Sequence, residues 1–152
     1  MAVTHKLYGP AIKNIFNGNM GALDSTATTI RVALMSSNHT FTQSNETWSQ
    51  VEANEISSTA NDYSTAGGEE LTGKSLAYSA RVTTFDGSSE TSFTSTGSIT
   101  AYHAVLYQES TAGSTASYLL SSIDFDGEQR SVNGTFKLTY STSGIFTTTV
   151  AS

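Results

Sequence analysis

The run GSITAYHAVLYQE, residues 97–109, places Ile99, Ala101, His103, Val105 and Tyr107 on one side of an extended chain. Tyr102, Ala104 and Leu106 fall on the other. Side chains of a strand alternate between two faces, so a strand with one wet face shows a polar residue at every second position. This segment shows apolar residues on both. It has to be covered on both sides, which predicts the central strand of a layered core.

Shorter alternating segments surround it, each bounded by turn residues. Residues 28–37, TTIRVALMSS, put Ile30, Val32 and Leu34 on one face and Arg31 on the other. KSLAYSARVTTF, residues 74–85, reads as one strand with Leu76, Tyr78, Ala80 and Val82 in line, followed by a short strand around Phe93. ASYLLSSIDF, residues 116–125, runs into Asp126-Gly127, a hairpin signal. TFKLTYS turns Phe136, Leu138 and Tyr140 inward, and GIFTTTV closes the chain after Ser143-Gly144. About seven strands at this spacing predict an all-β fold, an antiparallel β-sandwich or jelly-roll-like domain.

Two segments depart from the pattern. Trp48 and Val51 share a helical side, with Thr47 or Ser44 as N-cap, predicting a short helix near residues 46–53. The following stretch, TANDYSTAGGEELTG, reads as a loop, with Asn61-Asp62 and Gly67-Gly68 supplying unusual backbone conformations. Near the start, GPAIKNIFNG carries the only proline. Gly9 suits an N-cap, Pro10 the first helical position and Gly18 the stop, so a two-turn helix is expected. Two turns do not hold together alone in water. Tyr8, Ile12, Ile15 and Phe16 form its apolar stripe, and each aliphatic or aromatic side chain gains about 1.5–3 kcal/mol on burial. The arm therefore needs a surface, on its own chain or on a neighbour. The organisation expected is an N-terminal arm, residues 1–23, and one sandwich domain, residues 24–152. Tyr8, Pro10, Ile12, Ile15 and Phe16 are the candidate contact residues.

Charge and chemistry narrow the function classes. Only 13% of residues are charged, about half the usual share, and the net charge is −6. Ser and Thr make up roughly a third of the chain. The seven basic residues are scattered without a stripe, which argues against direct nucleic-acid binding. No apolar run approaches the ~20 residues of a membrane helix, and the first ten residues lack the apolar core of a signal peptide. Synthesis in a cytoplasm is the expectation. Cysteine is absent, so thiol nucleophiles and Cys-based zinc sites are excluded.

His5, His39 and His103 stand far apart without a metal-binding spacing, and His103 reads as a hydrogen-bonded core residue. DFDGEQR, from Asp124, lacks the ligand spacing of a calcium loop. No nucleophile elbow or phosphate-cradling glycine loop is present, and no carboxylate pair stands out among Glu69, Glu70 and Glu90. Neither an enzyme, a cofactor nor a metal is expected. Trp48, Tyr63 and Tyr78 could stack on sugar rings, although filling the core explains them more simply.

Several patches carry a family resemblance. LYGPAIKNIFNGNMGALDSTATTIRVALMSS, NDYSTAGGEEL, ITAYHAVLYQ and LLSSIDFDGEQRSVNGTFKLTYSTSGIF together resemble a group of small virion proteins of tailed bacteriophages. The resemblance implies a non-enzymatic structural component, with capsid decoration, or cement, proteins as the nearest class. It further implies a homo-oligomer, often a trimer, bound to the major capsid protein on the head surface after synthesis in the bacterial host cytoplasm. The rival expectation is a tail or fibre module that binds host surface glycan.

Overall fold

The structure, a computed structural model, describes residues 4–56, 66–110 and 116–150. Its elements are β1 (Thr4–Leu7), α1 (Gly9–Phe16), β2 (Ile30–Met35), β3 (Glu69–Glu70), β4 (Ser75–Ser79), β5 (Val82–Asp86), β6 (Glu90–Thr94), β7 (Ile99–Gln108), β8 (Tyr118–Ser131), β9 (Thr135–Thr139) and β10 (Phe146–Thr149). All named pairings are antiparallel.

The doubly apolar segment is β7, and it occupies the centre of a five-stranded sheet ordered β1-β8-β7-β2-β3. A second sheet, β10-β5-β4, and a third, β6-β9, complete the sandwich. Phe85, Phe93, Phe136 and Leu138 from the small sheets join Ile30, Val32, Leu34, Ile99, Leu106 and Leu119 from the large one in a single core. Phe136 and Leu138 point inward as their alternation predicts, with Tyr140 half-buried. Among the described residues no helix is long and apolar enough to cross a membrane.

Three sequence expectations are corrected. First, residues 74–85 do not form one strand. The chain reverses at Ala80-Arg81, pairing Ser79 with Val82 across a two-residue turn. Both turn residues have positive φ, 48° and 69°, without the Asn or Gly that normally announces such a turn. Second, Asp126-Gly127 does not reverse the chain. β8 pairs with β7 on both sides of it, Asp124 with His103 and Gln129 with Ala101, so the extra residues form a bulge. The left-handed backbone at Asp126, φ 56°, serves a bulge as well as a hairpin. Third, the helix near residues 46–53 is two 3₁₀ turns, Trp48–Gln50 and Glu52–Asn54, broken at Val51. Bridges from Thr47 to Tyr118 and from Glu55 to Met35 pin both ends to the sheet, and the side chains of Val51 and Trp48 must face the core between them. Thr47 does start the first turn, its N–H donating to Gln50 Oε1 at 2.9 Å.

Gly67-Gly68 behaves as read, with φ of 85° and 87°. The glycines let the backbone lie against β2, after which β3 pairs with it and Leu71 N–H donates to Ile30 O at 2.8 Å. Asn61-Asp62 and Tyr63 lie outside the described residues. A Cβ at Gly68 would lie 2.1 Å from Val32 O, whereas one at Gly127, also at positive φ, meets nothing within 4 Å. Gly68→Ala should therefore cost more than about 3 kcal/mol or abolish folding, and Gly127→Ala only about 1–3 kcal/mol of backbone strain. Urea unfolding of the two variants checks this, and equal losses would contradict it.

Candidate functional site

The N-terminal segment enters the body through β1, which forms an edge of the large sheet against β8. Tyr8 then caps α1 with extended backbone, and its N–H donates to Leu120 O at 3.2 Å. Helix α1 thus begins one residue earlier than read, with Gly9 and Pro10 inside its first turn. It ends at Asn17, followed by Gly18 in the left-handed region at φ 72°.

The face that docks coincides with only half of the apolar stripe, Tyr8 and Ile15. Tyr8, Ala11 and Asn14 are fully buried, Ile15 packs partly against the core, and Pro10 is half-buried. Ile12 is 36% exposed and Phe16 85% exposed. At 100° per residue the buried side is turned roughly a quarter turn from the stripe. Tyr8 is the reason. Its ring is seated in the protein's own core beside Phe41, at 4.9 Å between centroids, which fixes how the chain enters the helix. Tyr8 is therefore withdrawn from the set of surface contact residues.

Polar bonds fasten the rest. Asn14 Nδ2 donates to Glu46 Oε1 at 3.0 Å, and Lys13 Nζ reaches the same oxygen at 2.8 Å. Those two donors hold the Glu46 carboxyl below its usual range, Lys13 contributing most. Backbone N–H groups of Asn19 and Met20 both donate to Asn14 O, and Gly9 N–H to Gln43 O. The helix is clamped on its inner side and shows Ile12 and Phe16 to solvent.

A second constellation was not visible in the sequence. His39 and His103, 64 positions apart in numbering, meet with ring centroids 5.2 Å apart, edge to face. His103 Nδ1 lies 3.5 Å from Asp124 Oδ1, and Ser122 Oγ lies 3.4 Å from His39 Nε2. Lys6, Phe41, Thr40 and these residues line a cavity of about 240 Å³. His5, on the neighbouring β1, bonds Ser121 Oγ at 3.1 Å. The set differs from a nucleophilic triad because the carboxylate holds one imidazole and the serine the other. Among the described residues no group of three or more His, Cys, Asp or Glu is placed to hold a metal ion.

Of the aromatic residues considered for sugar stacking, Trp48 lies in the core, its ring stacked on Tyr107 at 4.3 Å and 9°. Tyr78 is exposed on β4.

Burial pulls His39 down to about 4, with His103 lowering it further and Asp124 opposing. Burial also lowers His103 and His5. An unfolded chain binds a proton near pH 6.5 that folded His39 refuses until about pH 4. Stability should therefore be level above pH 6.5 and fall as the pH drops toward 4, by up to about 3 kcal/mol from His39 alone. His39→Gln should flatten the decline in urea midpoint between pH 6.5 and 4.5. An unchanged slope would show that His39 is not its source.

Compared with known proteins, the chain matches no family model, no curated protein and no solved structure.

Proposed function

We propose that the chain is a non-enzymatic structural component of a tailed-bacteriophage virion, a decoration protein that binds the shell of major capsid protein and stabilises the head. The observation that carries this reading is the outer face of α1, where Phe16 and Ile12 stand in water on a helix clamped from behind. A docking protein gains from such a ring, which still has its apolar surface left to bury. Pre-ordering the helix removes part of the entropy that binding would otherwise cost. The resemblance of the sequence patches to small virion proteins supplies the class of partner.

The mechanism is mechanical. Each copy buries Phe16 and Ile12 in a groove of the shell, with the half-buried Pro10 and Ile15 supporting them from the helix. One buried phenylalanine contributes about 1.5–3 kcal/mol, and a lattice of copies repeats that contribution over the whole head. Rupture of the shell must then break these contacts as well as those within the shell. In this reading the protein is made in the bacterial cytoplasm and resides on the capsid surface.

The test is binding of the full chain to purified heads that lack it. Phe16→Ser should weaken binding by roughly 10- to 150-fold, the equivalent of that burial energy. Because Phe16 lies outside the core, the urea midpoint should shift by no more than about 0.5 kcal/mol equivalent. Unchanged binding by the variant would remove α1 from the interface. Binding to a glycan array with none to heads would replace this reading with the fibre-module one.

A further inference from the structure

Strand β4 buries nothing. All five of its residues are exposed, Leu76 by 47% and Tyr78 by 69%. Among the described residues its one sheet neighbour is β5, so its other edge carries backbone groups that none of them pairs. Proteins usually blunt such an edge with lysine, proline or a bulge. Ser75-Leu-Ala-Tyr-Ser79 has none of these, and its register with β5 is unbroken. The hairpin is also held tight at a cost. Left-handed backbone at Ala80 and Arg81 is worth about 1–2 kcal/mol of strain for each non-glycine residue.

The geometry points to a second copy of the chain as the occupant of this edge: we infer that two β4 strands pair antiparallel about a two-fold axis at Ala77. Three observations favour it. The first is hydrogen-bond phase. In a two-residue hairpin the residues flanking the turn, Ser79 and Val82, form a bonded pair, and bonded pairs recur at every second position. Ser75, Ala77 and Ser79 therefore direct their N–H and C=O toward β5, and Leu76 and Tyr78 direct theirs outward. In a pairing centred on Ala77, Leu76 of one copy faces Tyr78 of the other, so the outward groups of both copies meet in register.

The second is self-complementarity. The pattern small-large-small-large-small reads alike in both directions. Pairing sets each Tyr78 ring beside a Leu76, on the face that continues through Phe85 and Phe146, themselves 5.1 Å apart. Ser75, Ala77 and Ser79 meet on the other face without crowding. Aromatic–aliphatic cross-strand pairs are the stabilising unit of a sheet.

The third is charge. Arg81 at the hairpin tip makes no side-chain hydrogen bond or ion pair among the described residues, in a chain of net charge −6. The same register brings it opposite Gly73 of the other copy. Beside that glycine the Lys74 ammonium lies 3.6 Å from Oε1 of the half-exposed Glu70 carboxylate, so Arg81 would share that carboxylate with Lys74.

The area sets the strength. Tyr78, Leu76 and the strand edge together cover roughly 400–500 Å² per copy, about half the ~800 Å² per partner of a standard interface. The dimer is thus reversible and concentration-dependent. This inference rests on β4 alone and stands whether or not the chain belongs to a virion. A trimer, as the family resemblance implies, would need a different contact.

The test uses the full chain, which has no native cysteine to interfere. Sedimentation of the wild type at about 100 µM should give the mass of two chains, and Tyr78→Arg should raise the dissociation constant at least about tenfold. Ala77→Cys should form a disulfide-linked dimer on mild oxidation, because non-bonded antiparallel pairs hold their Cα atoms about 4.5 Å apart. Ser79→Cys should not, since its counterpart across the axis is Ser75. The mass of one chain at about 100 µM, the mass of three, or equal cross-linking of the two thiols would each overturn the inference.

Discussion

Strand β8 is the element on which the remainder of the molecule depends. It bonds β7 along most of its length and β1 along its other edge, so it joins the terminal segment to the centre of the sandwich. Its buried residues Leu119, Leu120, Ile123 and Phe125 sit in the common core. Its two buried serines lie on opposite faces, Ser121 bonding His5 and Ser122 reaching His39. Leu120 O accepts from Tyr8, which orients α1 and hence decides that Phe16 points outward. A change in β8 would be felt at the helix, in the histidine cluster and in the sheet at once.

What could be read from the sequence followed burial. β7, β2 and β9 are identified by alternation because water and core impose opposite preferences on their two faces, or the same preference on both. Legibility fails where local chemistry has two uses or none. Asp126-Gly127 favours left-handed backbone, which fits a hairpin and a bulge equally; only the partner strand decides. Ala80-Arg81 carries no turn signal at all, because the turn is imposed by β5 returning along β4. The stripe on α1 was legible as apolar, but its direction was not. That depended on Tyr8, a residue just outside the helix whose ring the core claims. The approach of His39 and His103 is long-range, produced by a loop after β2 folding over β7.

The histidine cluster and the outer face of α1 show two ways of keeping unfavourable groups in a folded chain. His39 is only 3% exposed, and burial keeps it neutral through the ordinary pH range. Burial lowers its neighbour His103 as well, against the pull of Asp124 beside it. Phe16 is the converse, an apolar ring left in water by a helix whose inner side is committed to the core through Tyr8 and Ala11 and to Glu46 through Asn14. The first group limits the conditions under which the fold persists. The second determines what the folded surface adheres to.

The pairing of Thr4 with Asp124 and of Leu7 with Ser121 has a further consequence in time. β1 finds its neighbour only after more than a hundred further residues have been made. Until then Tyr8 has no core to enter and α1, too short to persist alone, stays unformed. The large sheet is therefore completed only once β8 has been made. A chain cut short before β8 would leave its amino terminus unpaired and its apolar segments open to quality control. Whatever surface α1 presents, only chains that already include β8 present it.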